Sequence, residues 1–91
     1  MEFDWDDGKA ETNQAKHGVS FSEAASVFDD PLSITFADPN HSAEEERLVI
    51  IGHSQRGRLL FVSHTDRGQY TRVISAREAS RREKRIYEES V

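Results

Sequence analysis

The sequence predicts an α+β fold: a small antiparallel β-sheet flanked by two N-terminal helices and one C-terminal helix. Three observations carry this. Apolar runs between Arg47 and Ala76 are separated only by the turn sequences Gln55-Arg56-Gly57 and Asp66-Arg67-Gly68, so they should be neighbours in a meander. Upstream, Phe21, Ala24, Ala25 and Phe28 recur at i, i+3, i+4 and i+7, the helical period. Downstream, an apolar strand leads directly into a basic, helix-forming segment ending near Tyr87. The order is β-α-α-β-β-β-β-α, helices before and after a sheet.

Glu2–Trp5 alternates, with Phe3 and Trp5 on one side, and reads as a short first strand. Asp6 or Asp7 can cap a helix running to about His17, because a carboxylate accepts hydrogen bonds from the free N–H groups of the first turn. Its core face is thin: Ala10, Asn13 or Gln14, then His17. Lys16 and His17 suit the negative helix end, and Gly18 supplies a left-handed stop. Ser20 and Glu23 form a capping box for the second helix, with Val19 as its staple onto Ala24. Asp29-Asp30-Pro31 ends it.

Leu32, Ile34 and Phe36 alternate with Ser33, Thr35 and Ala37, the pattern of a half-buried strand. Ala37–Glu46 is a polar, acidic loop. Arg47–His53 and Leu59–Val62 read as central strands and Tyr70–Ala76 as the last one. Ser75 with Glu78 forms a second capping box, which would start the final helix there. On such a helix Arg77, Arg81 and Arg85 share one face, with Glu78–Arg82 and Arg85–Glu89 as compensating pairs.

At 91 residues the chain fits one small domain, 1–91, with a limited core. It has no cysteine, which excludes a disulfide framework, a zinc ribbon and a thiol nucleophile and fits a cytoplasmic protein. No apolar run approaches the roughly 18 residues of a membrane span. The net charge of −5 is unevenly spread: residues 1–66 carry five basic and thirteen acidic groups, whereas residues 67–91 carry seven and four. An acidic whole argues against broad nucleic-acid binding, but a local basic surface permits a focused contact with phosphate or an acidic partner.

Several pieces together, KHGVSFSEAASVFDDP, EER before LVIIG, RGRLLFV and RVISAREAS, resemble the BrnT toxins of bacterial type II toxin–antitoxin systems. The match runs from about Trp5 to Tyr87, in order and at the right spacings. The resemblance implies a RelE-like fold and a ribosome-independent endoribonuclease that arrests growth. It also implies a BrnA-like antitoxin with a DNA-binding domain, through which the complex contacts operator DNA and represses its own operon.

Metal-independent RNA cleavage needs a base for the 2′-OH, cations for the phosphorane and an acid for the leaving oxygen. Arg77, at the expected strand-to-helix junction, is the first candidate for phosphate, either there or in a structural salt bridge. Arg72 is the second, facing opposite to Val73 and Ser75 by alternation. Lys16 and His17 offer a cation and a titratable imidazole, though dipole effects or core packing also explain them. His64, on the side of Leu60 and Val62, is an alternative acid or base. Arg67, Arg81 and Arg85 are candidate RNA contacts, and Tyr87 either stacks on a base or packs as a core aromatic. Glu46 is a base or a loop salt bridge; His41 and His53 show no reason to join the site. The histidines at 17, 41, 53 and 64 lack zinc-ligand spacing, so neither metal nor cofactor is expected. The alternative is a non-catalytic module whose basic C-terminal helix docks a partner protein.

Overall fold

A computed structural model of the chain describes residues 1–38 and 46–90. Strand β1 (Glu2–Asp4) leads to helices α1 (Asp7–His17) and α2 (Phe21–Ser26), the latter extended by a 3₁₀ turn at Val27–Asp29. Strands β2 (Ile34–Ala37), β3 (Leu48–His53), β4 (Leu59–Asp66) and β5 (Tyr70–Glu78) follow, and helix α3 (Arg81–Glu89) comes last. Most of the expected acidic loop, with His41, Glu44 and Glu45, lies outside the described residues.

The local signals work as read in the first half. Asp6 accepts a hydrogen bond from the Lys9 N–H at 2.9 Å, and Gly18 ends α1 at φ 69°. The Ser20 hydroxyl accepts from the Glu23 N–H at 3.0 Å. The Glu23 carboxylate does not complete that capping box, because it turns inward to Arg58 and Ser54 instead.

The sheet order is β1-β5-β4-β3-β2. β2 to β5 form the antiparallel set, but β1 runs parallel to β5, so the sheet is mixed rather than wholly antiparallel. A parallel neighbour needs a long crossover, and everything from α1 to β4 supplies it. One face packs Val19, Phe21, Ala24 and Val27 of the helical layer against Ile50, Leu60, Val62, Val73 and Ala76. On the other face Tyr87 of α3 packs with Val49 and Ile51.

β5 departs most from expectation. It runs on to Glu78, and α3 is capped by Ser80 with Glu83, not by Ser75 with Glu78. The sequence holds two S-x-x-E boxes in tandem, Ser75–Glu78 and Ser80–Glu83. The longer β4 decides between them: Phe61 and Leu60 pair with Arg77 and Glu78, and the Ala79 N–H donates to the Leu59 carbonyl at 2.9 Å. A ladder with an existing partner strand outweighs a local cap of about 1 kcal/mol.

The β4–β5 ladder also carries a bulge: Ser63 pairs with Ser75, but His64 pairs with Val73, leaving one extra residue on β5. Thr65 pairs with Arg72 and Phe61 with Arg77. Opposed residues share a face, and positions 61 and 65 lie on the same side of β4, so Arg72 and Arg77 lie on one face despite their odd spacing. Ser75, opposite Ser63, joins Arg72 on that side, contrary to simple alternation. Where β1 ends, Asn13 covers the free edge of β5: its amide donates to the Ala76 carbonyl at 2.8 Å and accepts the Ala76 N–H at 3.1 Å. The side chain thus mimics one peptide of a missing strand.

Candidate functional site

The bulge builds the candidate surface. Arg77 stands on β5 rather than in the first turn of a helix. Its Nη1 and Nη2 donate to the two carboxylate oxygens of Glu83, both at 2.8 Å, and its Cζ lies 4.1 Å from the centre of the Phe61 ring. Those bonds hold the Glu83 carboxyl below its usual range and push the guanidinium further up. Arg72 donates to Asp4 of β1 at 2.8 Å. Both arginines are salt-bridged yet partly exposed, at 40% for the Arg77 side chain and 30% for Arg72.

The expected one-face row of three arginines is broken, since Arg77 belongs to the strand and only Arg81 and Arg85 to α3. Glu78 likewise leaves its expected helical pair with Arg82 and lies 3.5 Å from Arg58. Arg81, Arg82, Lys84 and Arg85 are exposed, and none has an ion-pair partner among the described residues. Arg67 is exposed in the β4–β5 turn, where its N–H donates to the Tyr70 carbonyl at 2.9 Å.

Lys16 and His17 do not join that face. Both are exposed at the end of α1, which packs on the opposite, helical side of the sheet through Ala10. His17 is thus not a core residue. The pair lines a groove of about 530 Å³ with Lys9, Thr12, Ile74 and Ser75, beside the β5 edge that Asn13 covers. His64 points with Leu60 and Val62, as alternation predicts, and is only 4% exposed. Its ring packs edge-on against Phe28 at 4.8 Å, and burial pushes the imidazole below its usual range, so it is neutral at pH 7. It lines a cleft of about 320 Å³ with Asp66, Tyr70 and Thr71.

Tyr87 is a buried core aromatic, not an exposed stacking residue. Its hydroxyl donates to Asp30 at 2.8 Å and lies 3.2 Å from His53 Nδ1. Burial, and then the Asp30 carboxylate, push the phenol up to about 12, which makes it a poor acid at neutral pH. This set anchors α3. It escaped the sequence reading because its three members come from the residue after the 3₁₀ turn, the end of β3 and α3. Glu83 and Phe61 were missed as well; the only trace of Glu83 was the second S-x-x-E box. Glu46 is exposed. Among the described residues, no three His, Cys, Asp or Glu side chains gather in a way that could hold a metal ion.

Fold and face together define a small α+β protein with two partly exposed guanidinium groups on one sheet face. The family described as the ribonuclease toxin BrnT of type II toxin–antitoxin systems matches residues 5–83, and the chain belongs to that family. The crystal structure of the Brucella abortus ribonuclease toxin BrnT is similar, with 28% sequence identity and a TM-score of 0.68. The likeness covers 89% of this chain and 99% of that one. No curated protein matches the sequence. No helix among the described residues is long and apolar enough to cross a membrane.

Proposed function

We propose that this chain, as a single toxin domain, cleaves RNA without a metal and arrests growth, and that a BrnA-like antitoxin with a DNA-binding domain neutralises it. Operator DNA is contacted only through that antitoxin, and the site of action is the cytoplasm. The observation that carries this reading is the placement of Arg72 and Arg77 on one sheet face by the β5 bulge. Two partly exposed guanidinium groups suit the charge that grows on a phosphorane.

In this mechanism the 2′-oxygen loses its proton to a base and attacks the adjacent phosphorus. The P–O5′ bond then breaks, the leaving oxygen takes up a proton, and a 2′,3′-cyclic phosphate and a 5′-hydroxyl result. RNA crossing the sheet beyond β1, where Asn13 covers β5, meets the Arg72–Arg77 face on one side and the Lys16–His17 groove on the other. His17 is the reachable imidazole and the first acid or base to test, with Lys16 as an accessory cation; His64, buried in a separate cleft, is the alternative. Arg67, Arg81 and Arg85 hold flanking phosphates.

The test is cleavage of RNA by purified protein in excess EDTA, with growth arrest on expression alone. Arg77→Ala should cost about a hundredfold to a thousandfold in rate, the usual loss for one transition-state donor. Equal activity of wild type and Arg77→Ala would remove Arg77 from the site. Cleavage abolished by EDTA would overturn the metal-free mechanism.

A further inference from the structure

A guanidinium carries five N–H donors in a rigid plane. On Arg77, Nη1 and Nη2 each give one to Glu83, and Nη1 gives a second to the Glu78 carbonyl at 3.2 Å. What remains is Nε–H and one Nη2–H. These two point the same way from one edge, and that edge is a fork matching two oxygens of a phosphate. No acceptor among the described residues takes either proton. The Phe61 ring under the guanidinium fixes the plane, and Glu83 fixes the rotation within it.

Glu83 is itself held. Its Oε1 also accepts the Ser80 N–H at 2.8 Å, while the Ser80 hydroxyl accepts the Glu83 N–H at 3.2 Å. The capping box that starts α3 therefore sets the carboxylate, and the carboxylate sets the guanidinium. Orientation fixed before the substrate arrives is worth rate, because it does not have to be acquired in the transition state.

We infer that Glu83 is a positioning residue for Arg77, turning its Nε–Nη2 edge outward as a two-pronged phosphate site. This rests on the ribonuclease reading and names the residue that tunes its cation. The competing arrangement is a Glu83 that blocks Arg77 until RNA displaces it.

The experiment compares steady-state RNA cleavage by wild type, Glu83→Gln, Glu83→Asp and Arg77→Lys. It is paired with NMR of the Arg77 Nε–H during titration with an uncleavable 2′-deoxy oligonucleotide. Glu83→Gln should lower kcat by about tenfold to a hundredfold with KM nearly unchanged, since a misplacement near 1 Å costs on that scale. Glu83→Asp should regain part of the loss. Arg77→Lys should fall as far as Arg77→Ala, because an ammonium has no fork. The Nε–H resonance of wild type should move on titration. A Glu83→Gln kcat equal to or above wild type, or a silent Nε–H, overturns the inference while a dead Arg77→Ala keeps the site. A wild type that cleaves nothing removes the ribonuclease reading itself, and the inference with it.

Discussion

Two arginine–glutamate pairs in this fold share a chemistry and differ in what they leave free. Arg58 gives Nε and Nη2 to Glu23, gives Nη2 also to the Gly18 carbonyl at 3.0 Å, and keeps Nη1 within 3.5 Å of Glu78. Glu23 is 3% exposed and also accepts the Ser54 hydroxyl at 2.7 Å. That pair is closed: it ties α2 to the turn before β4 and leaves no two-pronged edge free. Arg77 gives Glu83 its other edge and keeps the Nε side open. Which edge meets the carboxylate thus separates an arginine that builds the fold from one that can also meet a ligand.

The sharpest way to break this comparison is Glu23→Ala. It removes the acceptor that Arg58 and Ser54 share, so the loss of stability should exceed that of any surface pair. Urea unfolding measures it, and a loss below the range of surface pairs, about 1 kcal/mol, would make the two clamps equivalent. Acid gives a smaller, graded effect. Arg58 chiefly holds Glu23 below the usual carboxylate range, and Arg77 likewise lowers Glu83. A lowered folded pKa means that the unfolded chain binds protons first. Stability from these groups is therefore full above about pH 4.5 and drains as pH falls through the folded values. Unfolding midpoints from pH 6 to 3 should drop, and Glu23→Gln should flatten the slope more than Glu83→Gln; equal slopes would contradict the difference in burial. The smallest expected effect is Arg81→Ala with Arg85→Ala. Stability should hold, RNA binding should weaken evenly across sequences, and the slope of log affinity against log salt should shrink by about 0.7 per lost phosphate contact. An unchanged slope would take α3 out of the RNA path.

The site was only half legible for reasons these residues make plain. Arg72 and Arg77 stood out as cations, but their odd spacing assigns them to opposite faces unless a bulge intervenes, and a bulge is written in the pairing of two strands. His64 was placed on the correct face because alternation on β4 is uninterrupted up to that point. Tyr87 was open to both roles, since a hydroxyl on a helix face does not announce a carboxylate 57 residues away. Arg77 was put on a helix because Ser75–Glu78 is as good a box as Ser80–Glu83.

The sequence alone determined what depends on neighbours in the chain. The Asp6 and Ser20 caps, the Gly18 stop, the turns at Gly57 and Gly68 with φ 79° and 77°, and the alternation of β3 and β4 all rest on contacts a few residues long. Its motifs also carried the family. The tertiary structure decided the parallel seat of β1, the length of β5, its bulge, and therefore the face and the free edge of Arg77. Those depend on groups far apart in sequence, where a ladder already formed by β4 outweighs any local preference of the strand that joins it.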